Sequence, residues 1–433
     1  MTDSATAPES PELPLLQTPR AGVHFISNKE QLPAVVASLA ASKGAIAIDA
    51  ERASGFKYSQ RAYLVQIRAD NTDIYLIDPV ASPETLPSKE FAELAALMKD
   101  REWILHAATQ DLPCLNEIGL YPGAIFDTEL AGRLAGQPRV GLGALTESLL
   151  HLRLAKEHSA ADWSTRPLPE SWLNYAALDV DVLHELAKEV KELLSNQGKL
   201  SWAQQEFEAL MSFRPKPQKL DRWRGISGLH KVQDRLSLEI ARQLWLARET
   251  LARKMDVAPG RLIPDSSILV AATQKPKTRP ELAAMKSFSG RASRSYLDTW
   301  WEAVQTAHKA TDLPALKPDK TDALPNHRNW INKFPEADRR LKHAKEALVQ
   351  LSESKQVPLE NLLTPELLRQ VSFAPPENLS SKTLSERLTQ LGARPWQIEL
   401  TADLIVGAFN LAEKAPADPI TSNLPEPDEH EEP

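Results

Sequence analysis

Short apolar runs alternate with longer amphipathic segments in the first half of the chain. Apolar runs typical of buried strands cover Ala45–Ala50, Ala62–Arg68, Ile74–Asp78 and Trp103–Ala107. Amphipathic spacing predicts helices over Lys29–Ala41, Lys89–Asp100, Gln110–Glu117, Asp127–Leu134 and Pro169–Leu194. Because the second and third strands flank the turn signal ADNTD, the pattern predicts an antiparallel pair within a mixed sheet covered by helices, an α/β fold.

From Leu229 onward the strand signal disappears, and the chain is predicted to be all helical. Two stretches, Leu246–Pro264 and His343–Pro365, share A-[RK]-E, an apolar helix, a Val-Pro signal and a Pro that opens the next helix. Their offset is 97 at Ala247/Ala344 and 100 at Val257/Val357, so the first loop is predicted to be about three residues shorter. The repeat predicts two related helical modules.

These patterns divide the chain into seven segments. We predict a disordered N-terminal segment (1–21), an α/β domain (22–211), a basic connector (212–228), a helical module (229–310), a linker (311–333), a second helical module (334–412) and an acidic disordered tail (413–433).

Composition limits the class of protein. The 433 residues are 42% hydrophobic and 25% charged, without a long apolar run, so a globular protein with no membrane span is expected. The N-terminus lacks the basic and apolar regions of a secretory signal. Cys114 is the single cysteine, which excludes an internal disulfide or multi-Cys zinc site and favours a reduced, cytoplasmic setting. We expect a monomer that uses no nucleotide cofactor. No G-x-x-x-x-G-K-[ST] motif typical of ATPases is present in the sequence.

Charge is distributed unevenly along the chain. The formal net charge is −7, but residues 212–310 hold 19 Lys and Arg against 9 Asp and Glu. The last 19 residues hold six acids and no Lys or Arg, so the tail is strongly acidic. A basic middle is compatible with nucleic-acid binding, and we favour solubility as the role of the tail.

Two acids end the first buried strand, in the stretch GAIAIDAERAS. Asp49 and Glu51 are two residues apart, so their side chains point to the same face of a strand. Like charges at the edge of a core repel and are costly to desolvate. Taken alone, the pair is equally compatible with a surface turn and with a functional site.

Further polar groups follow at the ends of other elements. His106 ends a strand and Asp111 begins a short helix, where it is either an ordinary cap or a site residue. Tyr175 and Asp179 are spaced i, i+4 on one shoulder of an apolar helix stripe, where they could simply bond each other. Asp181 is predicted to be a plain surface acid. Clustered carboxylates without cysteine favour Mg²⁺ or Mn²⁺, and a two-cation carboxylate site is typical of attack at phosphorus.

The motifs resemble those of a known family. The order D-A-E, H-A-A-x-Q-D-L and Y-A-A-L-D-V resembles the tyrosine subgroup of the DEDD 3′→5′ exonucleases, and the stretches YLVQIR, FDTELAGRLAG and DWSTRPL resemble ribonuclease D. The helical modules resemble HRDC domains, the second one in a degenerate form. The resemblance implies an RNase H-like three-layer fold with a five-stranded mixed sheet, followed by two all-α HRDC-like domains.

The resemblance also implies roles for the site residues. Asp49, Glu51 and Asp179 would hold one of two divalent ions, Mg²⁺ or Mn²⁺, and Asp49 would bridge to the second. Asp111 would support the second ion, and Tyr175 would position the attacking water at the 3′-terminal phosphodiester. The implied function is trimming of structured RNA 3′ ends, such as those of tRNA precursors, with release of nucleoside 5′-monophosphates.

Nucleic-acid contacts are expected from six further residues, for which packing or salt-bridge roles are equally open: Gln66, His106, Arg166, Arg222, Trp223 and Arg224. Two other functions compete with the leading one. The same chemistry could act on single-stranded DNA, or the chain could be a nucleic-acid-binding protein with an inactive nuclease fold. The complete acidic set argues against the second alternative.

Overall fold

The computed structural model describes residues 13–81, 86, 88–155, 160–215, 217, 221–317 and 324–414. These residues divide into two compact units. Among the described residues, the first unit spans 13–132, 139–196 and 207–317, and the second spans 133–138, 197–206 and 324–414. The predicted acidic tail, apart from its first two residues, lies outside the described residues, as do residues 1–12 of the N-terminal segment. None of the described helices is both long and apolar enough to span a membrane.

Eight strands are described before the helical half of the chain. They are β1 (Leu15–Leu16), β2 (Val23–Ile26), β3 (Ile46–Arg52), β4 (Ala62–Ala69), β5 (Ile74–Ile77), β6 (Glu102–Leu105), β7 (Ala124–Asp127) and β8 (Arg153–Leu154). Six form one mixed sheet in the order β2-β5-β4-β3-β6-β7, in which β4 is antiparallel to both of its neighbours. The predicted mixed α/β fold is therefore confirmed.

The five-stranded sheet implied by the resemblance is wrong, because the described sheet has six strands. The sequence pattern predicted four of these and missed β2 and β7. Each has only four residues and lies at an edge of the sheet, and β2 leaves Val23 and His24 exposed, so neither carries a strong apolar pattern. By contrast, β4 is buried at every position except Arg68, because both faces of the central sheet are covered.

Eight helices belong to this half of the chain. They are α1 (Leu32–Ala41), α2 (Lys89–Lys99), α3 (Leu112–Glu117), α4 (Thr128–Leu134), α5 (Leu142–Leu145), α6 (Glu170–Asp181), α7 (Leu183–Asn196) and α8 (Leu200–Met211). The single helix predicted over Pro169–Leu194 is two helices, because Val182 interrupts it.

Asp181 explains the interruption and corrects a prediction. Its backbone carbonyl accepts hydrogen bonds from Arg20 (2.9 Å) and Arg68 (2.7 Å). Its carboxylate forms ion pairs with the same arginines at 2.9 and 2.8 Å and is 1% exposed, so it is not a surface acid. Arg20 lies in the segment predicted to be disordered, and Leu15–Leu16 of that segment pair with β8, so at least residues 13–21 are ordered.

The helical half contains twelve helices among the described residues. The first module has α9 (Arg235–Met255), α10 (Pro259–Leu262), α11 (Asp265–Gln274), α12 (Arg279–Ala284), α13 (Arg291–Ser295) and α14 (Leu297–Lys309). The second has α15 (Trp330–Lys333), α16 (Pro335–Lys355), α17 (Leu359–Leu362), α18 (Pro365–Phe373), α19 (Ser381–Gln390) and α20 (Pro395–Lys414). Trp223 and Ile226, predicted as connector, pack into the core of the first module.

The two modules repeat one architecture, in which α9, α10 and α11 begin 100 residues before α16, α17 and α18. α9 and α16 each have 21 residues and end at a left-handed residue, Asp256 (φ 49°) and Gln356 (φ 50°). The predicted offset of 97 is therefore wrong. The error of three residues is about one helical turn, so the mismatched residues lie on the same helix face and are of similar types. Leu244, not Ala247, occupies the position equivalent to Ala344, and both side chains are fully buried.

Residues 53–61, the loop after β3, are bonded to the first module within the first unit. The carboxylate of Asp256 accepts hydrogen bonds from the Ser59 backbone (2.8 Å) and the Tyr63 hydroxyl (3.3 Å). The Ala258 backbone donates to the Phe56 carbonyl at 2.9 Å. The loop that follows β3 is thus held by the C-terminal end of the module's first helix.

We expect Asp256→Gly to loosen this loop. Glycine keeps the left-handed backbone but removes the carboxylate, so hydrogen exchange of the peptide covering residues 53–61 should rise roughly tenfold, as expected for loss of a charged hydrogen bond. Gln356→Gly makes the same backbone change at the equivalent position of the second module and serves as the control. Equal exchange of this peptide in both variants would contradict the assignment.

Candidate active site

The end of β3 brings two acids to an opening in the sheet. Ile46, Ala47 and Ile48 are fully buried, whereas Asp49 and Glu51 are half-buried. β3 pairs with parallel β6 only through Ile46–Trp103 and Ala47–Ile104, so the later residues of β3 have no strand on that side. The separation of two neighbouring strands leaves room for polar side chains and for a ligand.

Asp111 comes from the turn that follows β6. It occupies the N-cap position of α3, but its side chain accepts no capping hydrogen bond from the helix. Its side chain instead lines a cavity together with Asp49 and Glu51. The interpretation of Asp111 as an ordinary helix cap is therefore wrong.

Asp127 holds the turn between β6 and α3. Its carboxylate accepts hydrogen bonds from the backbone N–H groups of Ala107 (3.1 Å), Ala108 (2.8 Å), Glu129 (2.9 Å) and Leu130 (3.1 Å). It therefore fixes the turn before Asp111 and begins α4 at the same time. Sequence reasoning missed this role, although an acid directly before a helix is a recognisable capping signal.

Tyr175 and Asp179 come from α6, one turn apart. Both side chains line the same cavity as Asp49, Glu51 and Asp111. The volume of this cavity is about 280 Å³. Tyr175 packs beside the fully buried Trp163, with ring centroids 6.4 Å apart. The helix shoulder predicted from the i, i+4 spacing thus faces the opening after β3.

The carboxylates are close enough to hold a cation. One oxygen from each of Asp49, Glu51 and Asp179 can be chosen so that all three lie within 4.8 Å of one another. The donor set is oxygen without thiolate, which suits a hard divalent ion such as Mg²⁺ or Mn²⁺. The residues therefore fit divalent-metal binding.

Burial and mutual repulsion disfavour the ionised forms of these acids. Desolvation raises the pKa of Glu51 well above its ordinary value, and the charges of Asp49, Asp179 and Asp111 raise it further. Desolvation and then the charge of Asp49 likewise raise the pKa values of Asp111 and Asp179. For Asp49 desolvation raises the pKa, whereas hydrogen bonds from Ala50 and Asp111 act in the opposite direction. Without a bound cation, ionising all of these acids therefore costs considerable free energy.

Three family models match the chain. The 3′-5′ exonuclease model covers residues 23–195, and the HRDC domain model covers 237–304. The second helical module, predicted as a degenerate HRDC-like domain, lies in residues 323–409, which match the model of the 3′ to 5′ exonuclease C-terminal domain.

A curated relative decides the family. The ribonuclease D of Gluconacetobacter diazotrophicus is 31% identical over 316 residues, which cover 70% of this chain and 77% of the relative. The chain belongs to the ribonuclease D family. The predicted family is thereby confirmed, and with it the predicted class of enzyme, a 3′→5′ exoribonuclease.

Solved structures agree with this assignment. A protein from Bifidobacterium adolescentis is 36% identical with a TM-score of 0.82, over 92% of this chain and 100% of that protein. Escherichia coli RNase D shares the fold at 24% identity and a TM-score of 0.64, over 91% of this chain and 100% of that chain. The similarity to the ribonuclease D fold thus extends beyond the exonuclease domain into the helical half.

Of the six residues expected to contact nucleic acid, only His106 lines the cavity that the four acids and Tyr175 share. Its Nδ1 lies 2.9 Å from the Thr128 hydroxyl, which itself donates to the Leu105 carbonyl, so the imidazole must carry its proton on Nδ1. Burial lowers the pKa of His106 to about 4, so the ring is neutral at physiological pH.

The expectation for Gln66 was wrong. Its side chain is fully buried, directly across the sheet ladder from Asp49, and cannot touch RNA. Arg166 forms a salt bridge with Asp78 at 2.6 Å and donates a hydrogen bond to the Tyr63 carbonyl at 2.8 Å. These contacts favour the salt-bridge role of Arg166 over the nucleic-acid contact. Trp223 is 4% exposed and packs in the core of the first module.

The two arginines beside Trp223 are also engaged. Arg222 forms an ion pair with Glu249 at 3.2 Å and lies 5.3 Å from the centre of the Trp245 ring. Arg224 lies 4.4 Å from the centre of the Trp223 ring and donates to the Ala315 carbonyl at 2.9 Å. These contacts hold Arg222, Trp223 and Arg224 within the module. They favour a packing role for the three side chains over RNA binding.

The raised carboxyl pKa values predict how metal-free stability depends on pH. A pKa raised by folding stabilises the folded chain below the unfolded-state value, about 4, and this contribution is lost as pH rises through the folded pKa. In EDTA the protein should therefore become less stable toward neutral pH. Asp179→Asn removes one of the repelling acids, so near pH 8 it should melt above wild type, by about 2–4 °C for each kcal/mol recovered.

Calorimetric melting in EDTA near pH 5 and near pH 8 measures this difference. Asp298→Asn, which changes an acid whose side chain is 76% exposed, provides the control and should follow wild type. An Asp179→Asn protein that melts below wild type near pH 8 would contradict the repulsion.

Proposed function

We propose that the chain is a divalent-metal-dependent 3′→5′ exoribonuclease that trims the ends of structured RNA, such as tRNA precursors, and releases nucleoside 5′-monophosphates. Two bound ions, Mg²⁺ or Mn²⁺, would be held by Asp49, Glu51, Asp111 and Asp179, with Asp49 shared between them. The observation that carries the proposal is that these four acids and Tyr175 line one cavity.

The chemistry divides between the ions and the chain. Bound divalent cations lower the pKa of water and stabilise negative charge on the leaving oxygen of a phosphodiester. The chain contributes the carboxylates that would fix the ions, and it contributes the phenol of Tyr175, which lines the same cavity. Desolvation, together with the charges of Asp179, Glu51 and Asp49, raises the pKa of Tyr175, so its hydroxyl stays protonated at neutral pH. Tyr175 therefore orients the attacking water and does not act as its base.

Charge supports RNA as the substrate. Residues 212–310 carry an excess of ten positive charges, 19 against 9, and the first helical module within this range bonds to the loop that follows β3. A basic module beside the cavity can bind the backbone of a structured RNA while its unpaired 3′ end enters. Selectivity for structured RNA would then come from the module, because the chemistry itself acts on any phosphodiester.

Digestion of labelled RNA tests the proposal. A 5′-labelled tRNA precursor with a 3′ trailer should shorten stepwise from its 3′ end in Mg²⁺ or Mn²⁺, and thin-layer chromatography should identify nucleoside 5′-monophosphates. Asp179→Ala should abolish shortening, and Tyr175→Phe should lower kcat by about 10²-fold with little effect on RNA binding, because the attacking water loses its orientation.

Controls separate the competing functions. Faster digestion of matched single-stranded DNA than of RNA would favour the DNA exonuclease, and RNA binding without shortening would favour the inactive nuclease fold. Unchanged degradation by Asp179→Ala would overturn the assignment of the site. Asp298→Ala, at an exposed position of the first module, should retain full activity.

A further inference from the structure

A cation lies among the acids of the cavity. Arg52 is the residue after Glu51 on β3, and its side chain lines the cavity with Asp49, Glu51 and Asp111. Regular alternation along a strand would place Arg52 on the face opposite Asp49 and Glu51. Its presence in the cavity therefore requires a local change in the strand.

A β-bulge provides that change. The β3–β4 ladder pairs Glu51 with Leu64 and then Arg52 with Ala62, so Tyr63 is an extra residue in β4. Bulges increase the local twist of a strand pair and redirect side chains, and they are frequent beside active sites. The twist at this point is what allows Arg52 to reach the cavity that Asp49 and Glu51 also line.

The guanidinium of Arg52 is only weakly engaged by the protein. Its Nη2 lies 3.7 Å from Asp111 Oδ1, beyond hydrogen-bond distance, and its Nε is buried without a hydrogen-bond partner among the described residues. Arg68, in contrast, contacts Asp181 at 2.8 Å and Arg166 contacts Asp78 at 2.6 Å. An arginine whose purpose was structural would be expected to form such a short pair with Asp111.

Arg52 is also the only positively charged residue that lines the cavity within the described part of the chain. His106 is the other basic residue there, and its buried ring is neutral because its pKa is about 4. The side chain of Arg52 is 26% exposed, whereas that of Asp111 is 7% exposed, so the guanidinium is accessible to a ligand that enters from solvent.

We propose that Arg52 binds the non-bridging oxygens of the terminal phosphodiester of the RNA. This inference rests on the proposed function. A guanidinium offers a planar fork of N–H donors that matches phosphate oxygens, and its charge stabilises the negative charge that develops during phosphoryl transfer. Divalent cations on the carboxylates would neutralise Asp111 and leave the fork free to turn to the phosphate.

The experiment compares two RNAs that differ by one charge. Both are short oligoribonucleotides with a 5′ fluorophore, and the last linkage is a phosphodiester in one and an uncharged methylphosphonate in the other. Affinity is measured by fluorescence anisotropy with Ca²⁺ in place of Mg²⁺, and gel electrophoresis checks that the RNA remains intact. The readout is the ratio of the two dissociation constants, which a merely structural role of Arg52 would not change.

Wild type should bind the phosphodiester more tightly, and Arg52→Gln should reduce this preference roughly tenfold by weakening binding of the charged RNA only. Arg52→Lys, which keeps the charge but lacks the fork, should restore part of the preference. Arg61→Gln is the matched control, because Arg61 lies 4.0 Å from Asp256 with a 45% exposed side chain and does not line the cavity. Its ratio should equal that of wild type.

The outcomes separate this inference from the proposed function. Stepwise shortening of RNA by wild type in Mg²⁺, together with an unchanged ratio in Arg52→Gln, would overturn the role of Arg52 alone. Equal weakening of both RNAs by Arg52→Gln would also overturn it, because the lost contact would not be to the terminal phosphate. Failure of wild type to bind and shorten RNA would overturn both proposals.

Discussion

Repulsion among four carboxylates around one small cavity is the constraint on which the site depends. Oxygens of Asp49, Glu51 and Asp179 lie within 4.8 Å of one another, and Asp111 lines the same cavity. Burial weakens the screening of like charges and makes each ionised group more costly. Such an arrangement persists only when the surrounding structure imposes it, and bound divalent cations would convert the repulsion into attraction.

The fold imposes the arrangement through three separate elements. The opening between β3 and β6 gives Asp49 and Glu51 room, Asp127 fixes the turn that carries Asp111, and α6 presents Asp179 with Tyr175. The first helical module holds the loop after β3 through Asp256, so it is part of the support of the site as well as a basic surface. Moving any one of these elements would change distances between the acids.

Sequence reasoning located the site because its signals are local. Period-two spacing placed Asp49 beside Glu51, and i, i+4 spacing placed Tyr175 beside Asp179. It failed where a tertiary partner decides the outcome. Asp181 resembled a surface acid because its partners Arg20 and Arg68 are 161 and 113 residues distant in sequence. The proposed role of Arg52 depends on a bulge, which no residue pattern in β3 or β4 predicted.

Calorimetric titration with Mn²⁺ tests the central claim most directly. Because burial and mutual repulsion raise the pKa values of Glu51, Asp111 and Asp179, the metal-free cluster holds protons more tightly than ordinary carboxyl groups do, and metal binding should release protons. Titrations in buffers of different ionisation enthalpy should show this release in wild type, decreasing toward pH 8, and weaker binding in Asp49→Asn. Binding without proton release near pH 6, or equal affinity in Asp49→Asn, would contradict the claim.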